Sequence, residues 1–115
     1  MAKSEYHLSD TDFDALLRYI DSHVLEGSAS ASFEDGSDWR FGGVRCAVRV
    51  YERYSAFGGN RVSLNVTLVG SDGDIFVSAI TSGGSQAVFF KINTVGEESF
   101  LGEFDRIMAP FKRGD

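Results

Sequence analysis

The spacing of hydrophobic residues in the first quarter of the chain predicts an amphipathic helix over about residues 9–26. Apolar residues recur there at intervals of three and four, which places them on one helical face. These residues are Phe13, Leu16, Leu17, Ile20 and Val24. Ser9 and Asp12 have the spacing of a capping box, and Gly27 can adopt the left-handed conformation that ends a helix. We expect residues 1–8 to form an N-terminal arm before this helix.

The middle of the chain alternates with a period of two, which predicts antiparallel strands joined by short loops. The predicted strands cover about residues 29–34, 44–53, 62–68, 75–81 and 87–92. In the second strand, the apolar set is Val44, Cys46, Val48 and Val50, and the alternate set includes Arg45, Arg49, Tyr51 and Arg53. Since successive strand residues point to opposite faces, we expect the apolar set to face the core.

A second helix is predicted over about residues 94–109, where apolar residues again share one stripe. Residues 35–38 and 70–73 carry turn chemistry. The predicted architecture is therefore α+β in the order αβββββα, a five-stranded antiparallel meander with both helices on one face. We expect a single domain over residues 1–115, with residues 111–115 as a tail.

Charge and cysteine content narrow the function classes. The chain has 115 residues, 17 acidic and 11 basic, and a net charge of -6. This field repels nucleic acid, so we expect no nucleic-acid partner. The single cysteine excludes an internal disulfide and fits a reducing cytoplasm. No secretory signal or membrane helix is predicted, and we expect no membrane partner.

The usual catalytic and metal-binding residues do not assemble into a site in the sequence. His7 and His23 have no carboxylate or cysteine at ligand spacing. Cys46 is expected on the buried side of its strand, which favours a core residue over a nucleophile. The aspartates are explained as caps, turns and solvated side chains. We therefore predict no catalytic residue, no metal site and no cofactor.

The outer side of the sheet is the most informative part of the pattern. We expect the arginine-bearing side of the second strand to face outward there, joined by Asn65. The glycine-rich loop after the fourth strand could form an anion-binding nest. The candidate ligand-binding residues are Arg45, Arg49, Tyr51, Arg53, Asn65, Thr81, Ser82, Gly83, Gly84, Ser85 and Gln86. These residue types favour a small anionic ligand.

The predicted fourth and fifth strands, residues 75–81 and 87–92, carry apolar residues on both faces. Whichever face meets the helices, the other keeps either Phe76 and Ile80, with Phe89 joining them, or Ile75, Val77 and Ala79. Helices on one side cannot cover both faces, so this excess predicts a homodimer interface at Phe76, Ile80 and Phe89 or a ligand groove. Curvature of the sheet and cover by loops is the alternative explanation.

Three stretches carry a resemblance to a known family. They run from Val44 to Ser55, from Gly58 to Leu64, and from Ser78 to Thr94, and contain VRCAVRVYERYS, GGNRVSL, SAITSGGSQA and FFKINT. The chain resembles an uncharacterised family of short bacterial proteins, a family of unknown function. The resemblance implies no activity or site. In outline the chain is also similar to parts of the helix-grip ligand-binding fold, which has more strands.

Three functions remain open from the sequence. The first is a noncatalytic cytosolic binding or interaction module, homodimeric, that uses the outer face of the sheet and the glycine-rich loops. The second is a small enzyme acting on an anionic substrate at residues 82–86 together with Arg45 or Arg49. The third is a purely structural subunit that pairs through strands four and five.

Overall fold

The computed structural model describes residues 1–54, 61–83 and 90–112. Its elements are β1 (Ala2–Leu8), α1 (Phe13–Glu26), β2 (Ser32–Phe41), β3 (Val44–Tyr54), β4 (Arg61–Ser71), β5 (Asp74–Gly83) and α2 (Phe90–Lys112). The strands form one antiparallel sheet in the order β1-β5-β4-β3-β2. Both helices pack on the same face of this sheet and enclose the core with it. The predicted α+β class, with a five-stranded antiparallel sheet and two helices, is confirmed.

One strand lies at a different place in the chain than predicted. The segment expected to be an N-terminal arm is β1, which pairs with β5 from Ala2 to Leu8 and buries Tyr6 and Leu8. Residues 90–92 of the predicted last strand belong to α2, and residues 87–89 lie outside the described residues. The order along the chain is therefore βαββββα instead of αβββββα, and only β2 to β5 form the meander.

Strand β2 runs through the segment that was predicted to be a turn. Residues 35–38 pair with β3 over their whole length, and a bulge between Phe33 and Asp35 absorbs the irregularity. The chain turns later, at Gly42, whose φ of 58° costs no steric strain in a residue without a Cβ. The turn prediction was wrong because pairing with a long neighbouring strand outweighs the weak strand propensity of Asp and Gly.

Both ends of α1 differ in detail from the prediction. Asp12, and not Ser9, caps the helix, because its carboxylate accepts a hydrogen bond from the Ala15 N–H at 2.8 Å. Gly27 has a φ of -73°, so the predicted left-handed conformation is wrong. The absence of a side chain at Gly27 matters for packing instead, since a Cβ there would overlap the Glu103 carboxylate of α2.

The core lies between the two helices and the inner face of the sheet. Its strand residues include Val62, Leu64, Val66 and Leu68 of β4, as predicted, and Ile75, Val77 and Ala79 of β5. In β3, however, the buried residues are Ala47 and Tyr51, and Val44 is exposed. The predicted orientation of β3 is therefore reversed. The side that carries the arginines faces the helices, and Cys46 lies on the opposite side, half-buried.

Candidate interaction surface

The face of the sheet opposite the helices is covered by none of the described elements, and we call it the open face. The strand register aligns its side chains in rows that cross the sheet. The hairpin-end row contains His7, Phe76, Val69, Cys46 and Trp39. The middle row contains Glu5, Ser78, Thr67, Val48 and Ser37. The lower row contains Lys3, Ile80, Asn65, Val50 and Asp35.

The hairpin-end row is the most apolar part of the open face. Trp39 is 62% exposed and Phe41 beyond it is 71% exposed, and their rings stack with centroids 5.6 Å apart. Val69 and Phe76 continue the apolar surface across β4 and β5, and Val44 flanks it on β3. Large apolar groups held together in this way mark a contact surface more strongly than the same residues scattered singly.

Charge is confined to the margins of the three rows. The strands β3, β4 and β5 contribute only uncharged residues to these rows, apart from the ionisable Cys46 thiol, and the Glu52–Arg61 ion pair of β3 and β4 lies beyond the lower row. The charged positions are Lys3 and Glu5 on β1 and Asp35 on β2, the two strands at the edges. Charge at the rim is typical of protein interfaces, and the apolar area of this face lies toward its hairpin end.

The three arginines predicted to lie on the outer face instead join the sheet to other elements. Arg45 pairs with Asp14 of α1 at 2.8 Å, and its guanidinium lies 4.3 Å from the ring centroid of Phe13. The hydrogen bond from Arg45 holds the pKa of the Asp14 carboxyl below its usual value, and Asp14 raises the pKa of Arg45. Arg45 therefore already has an anionic partner within the fold.

Arg53 makes the corresponding contacts with α2. It pairs with Glu103 at 2.7 Å, donates to the Ser99 hydroxyl at 2.9 Å, and lies 4.5 Å from the ring centroid of Phe100. The Arg53 and Glu103 side chains are only 13% and 18% exposed. An external anion would have to displace a largely buried carboxylate, which argues against a ligand site at Arg53.

Arg49 and Tyr51 are also satisfied by neighbours within the chain. Arg49 donates to both oxygens of Asp38, at 3.0 and 3.2 Å, and to the Val48 carbonyl at 2.8 Å. The hydroxyl of Tyr51 donates to Asp21 of α1 at 2.9 Å. Burial first, and the Asp21 carboxylate second, raise the pKa of Tyr51 far above its usual value. Asn65 faces outward, as predicted, and lies between Val50 and Ile80 in the lower row of the open face.

A groove between α1 and β2 has a volume of about 520 Å³, within the size range of small-molecule sites. It is lined by Leu17, Arg18, Asp21, Leu25, Phe33 and Arg49. Arg18 and Arg49 are opposed there by Asp21 and by Asp38, the ion-pair partner of Arg49. The groove therefore carries no excess of positive charge, and its electrostatics do not favour an anionic ligand.

Thr81 and Gly83, at the start of the glycine-rich loop, contact Glu97 of α2, a residue that the sequence analysis did not associate with this loop. Thr81 is buried and donates to the Glu97 carbonyl at 3.0 Å, and the Gly83 N–H donates to the Glu97 carboxylate at 2.6 Å. Ser82 lies on the open face, and its carbonyl accepts a hydrogen bond from the Ser63 hydroxyl at 3.1 Å. The three remaining candidates, Gly84, Ser85 and Gln86, lie outside the described residues.

In the sequence, Thr94 and Glu97 have the spacing of a capping box, which suggests a local role for Glu97, and its contact with Gly83 was therefore missed. In the structure its side chain is 7% exposed, and its second oxygen lies 2.8 Å from the Met1 amino nitrogen. Both oxygens are therefore engaged by groups of the chain. Within the described residues, no three His, Cys, Asp or Glu side chains are grouped as a metal site, and no helix is long and apolar enough to cross a membrane.

The structure decides which face of β5 is exposed. Ile75, Val77 and Ala79 are buried, whereas Phe76 and Ile80 are 42% and 37% exposed on the open face. Their interface role stays a prediction, and Phe89 lies outside the described residues. Sequence reasoning missed the larger apolar set, Trp39, Phe41, Val44 and Val69. The signal was the alternation of Ser37, Trp39 and Phe41, which extends past the predicted turn.

These features define a two-layer α+β domain whose sheet is covered by described helices on one face and is open on the other, where the hairpin-end row is apolar. Within that class, the chain belongs to DUF6054, a family of unknown function, whose model matches residues 1–112. The resemblance to an uncharacterised family is thereby confirmed. No curated protein matches the sequence.

Proposed function

We propose that this protein is an interaction module that binds an apolar, uncharged protein surface through the open face of its sheet. The observation that carries the proposal is the hairpin-end row, where Trp39, Val69 and Phe76 stay exposed on adjacent or nearby strands. Apolar area of this kind is stabilised when another surface removes it from water.

A protein partner fits this surface better than a small anionic ligand does. The open face spans five strands, and β3 to β5 place no positive side chain in its three rows, while Arg61, beyond the lower row, is already paired with Glu52. The arginines that suggested an anion are instead paired with Asp14, Asp38 and Glu103. The same pairing weakens the enzyme hypothesis at residues 82–86, because Arg45 and Arg49 were its substrate-binding groups.

We also infer that the module acts in the cytoplasm. Its single cysteine, Cys46, is a half-buried free thiol on the proposed binding surface. A reducing compartment keeps such a thiol from forming mixed disulfides that would block the surface.

The proposal is tested with a photo-crosslinking phenylalanine analogue placed at Phe76 or, in a matched control, at Phe33. Both positions are similarly exposed, at 42% and 48%, but Phe33 points to the helix side of the sheet. We expect irradiation of the protein, purified and in expressing cells, to give discrete protein adducts from position 76 and not from position 33. Equal labelling from both positions, or no adduct from position 76, would refute binding through the open face.

A further inference from the structure

We infer that the partner of the open face is a second copy of this chain, packed face to face about a two-fold axis that runs parallel to the strands beneath β4. This inference rests on the proposed function and names its partner. Because β4 is the middle strand of the five, such an axis lays β3 of one copy over β5 of the other and β2 over β1. Each row then meets the same row of the second copy.

The size of the open face suits a stable dimer. Five strands at ~4.8 Å spacing and about 30 Å of strand length give roughly 700 Å² per copy. Standard protein interfaces bury about 600–1,000 Å² per partner. The open face therefore provides enough area without any further element, and two stacked sheets are a common packing arrangement.

Side-chain sizes are complementary under this axis. Phe76 of one copy lies over Cys46 of the second copy, so the largest side chain of β5 meets one of the smallest in the row. Val69 lies over its own counterpart at the axis. In the lower row, Ile80 lies over Val50 of the second copy. Apolar groups therefore meet apolar groups on β3, β4 and β5 of the hairpin-end row and on β3 and β5 of the lower row, while Asn65 meets its own counterpart at the axis and can pair with it by hydrogen bonds.

The charged margins are complementary as well. In the lower row, Lys3 on β1 lies over Asp35 on β2 of the second copy, and the symmetry produces this pair twice. Within its own chain, Lys3 approaches only Glu5, at 3.8 Å, among the described ion pairs. Asp35 accepts a hydrogen bond from the Gly36 N–H. Neither contact prevents pairing across the interface.

A two-fold axis perpendicular to the strands gives a poorer match. With the faces fully overlapped, it lays the hairpin-end row over the lower row of the second copy. Trp39 would then lie over Asp35 and Val69 over Asn65 of the second copy. Burying a carboxylate against an indole costs free energy because the charge loses its hydration. The parallel axis is therefore favoured.

The test uses the charge pair and measures the dimer dissociation constant by sedimentation. The wild-type chain should form a species of twice 12.6 kDa. Lys3→Asp and Asp35→Lys should each raise the dissociation constant about tenfold, since each places two like-charged pairs in the dimer. An equimolar mixture of the two variants should dimerise as tightly as the wild type, because both pairs are then attractive.

Two variants on the helix side serve as matched controls. Arg18→Asp and Glu98→Lys change the net charge by the same amounts at exposed positions of α1 and α2. They should leave the dissociation constant unchanged, alone and mixed. All four variants are checked for wild-type circular dichroism and melting temperature before they are compared.

The outcomes separate this inference from the proposed function. A chain that stays monomeric at all concentrations overturns the second copy as partner, while adducts from position 76 to another protein would keep the open face as the binding surface. A dimer whose charge variants do not restore each other overturns the parallel axis. If each charge variant dimerises more weakly, their mixture regains the wild-type dissociation constant, and the control variants show neither effect, both the partner and its orientation are supported.

Discussion

Tyr51 shows at the scale of single residues how β3 is joined to the helix layer. Its ring is fully buried, and its hydroxyl donates to Asp21 of α1. Arg45 and Arg53, on the same face of β3, reach Asp14 and Glu103. In sequence, this face has the polar character of a solvated one, and the opposite face has the valines. The predicted orientation failed because carboxylates distant in the chain supply the partners that make these side chains compatible with the inner face.

The pKa of Tyr51 makes a testable contribution to stability. Because the folded-state pKa is raised, the native protein keeps a proton that the unfolded chain loses above pH ~10. Stability from this group is therefore complete below that pH and declines above it, by up to ~1.4 kcal/mol per pH unit. Tyr51→Phe should cost about 1 kcal/mol at neutral pH through the lost hydrogen bond. The difference between wild type and variant should then shrink above pH 10.

Urea unfolding of both proteins between pH 7 and pH 11 measures this difference. Tyr54→Phe, at a 57% exposed tyrosine, controls for the loss of a phenol without its burial. If wild type and Tyr51→Phe differ in free energy of unfolding by the same amount up to the highest pH, the raised pKa of Tyr51 is contradicted.

Strand β1 is the clearest case at the scale of elements. Its seven residues are too few for a strong periodic signal, and Lys3, Glu5 and His7 give it a polar composition. Pairing with β5 makes it a strand, because Tyr6 and Leu8 then reach the core beside Val77 and Ile75. Non-local pairing of this kind cannot be read from a local pattern, since the partner lies about 70 residues away in the chain.

Leu8→Ala tests whether β1 belongs to the core. Leu8 is 1% exposed, so its truncation should lower the free energy of unfolding by about 2–5 kcal/mol through lost burial and a residual cavity. Glu5→Ala on the same strand, at an exposed position, should change it by less than ~0.5 kcal/mol. Equal, small effects in urea unfolding would show that β1 contributes no packing energy.

The open face governs behaviour at the scale of the whole molecule. A net charge of -6 keeps molecules apart at long range, but the rows on β3 to β5 bear none of that charge. Apolar contact at short range can therefore oppose this general repulsion, while salt screens both the repulsion and the Lys3–Asp35 pairs across the proposed interface.

Cys46 reports on this association because it lies in the hairpin-end row. In the proposed dimer it is covered by Phe76 of the second copy, so alkylation by iodoacetamide should slow as protein concentration rises. At a total concentration of ~100 times the dissociation constant, the monomer fraction and hence the rate should fall about fifteenfold. A thiol moved to the exposed Ser22 of α1, by Ser22→Cys with Cys46→Ser, should react at a constant rate. Concentration-independent alkylation of Cys46 in a dimer would place the interface elsewhere.

The sequence by itself determined the features that depend on near neighbours. The helical period identified α1 and most of α2, and strict alternation identified the buried side of β4, because both signals are contained in ten to twenty consecutive residues. It also predicted that β5 has apolar groups on both faces, of which helices on one side of the sheet can cover only one. Phe76 and Ile80 lie on the open face.

Only the tertiary structure decided the features that depend on distant partners. The face that β3 turns inward follows from the carboxylates of α1 and α2, and β1 exists as a strand because β5 offers an edge. The row from Phe76 to Trp39 arises because the register of four strands aligns residues that are up to 37 positions apart. Alternation along a strand shows which residues share a face, but packing against the rest of the molecule determines which face is buried.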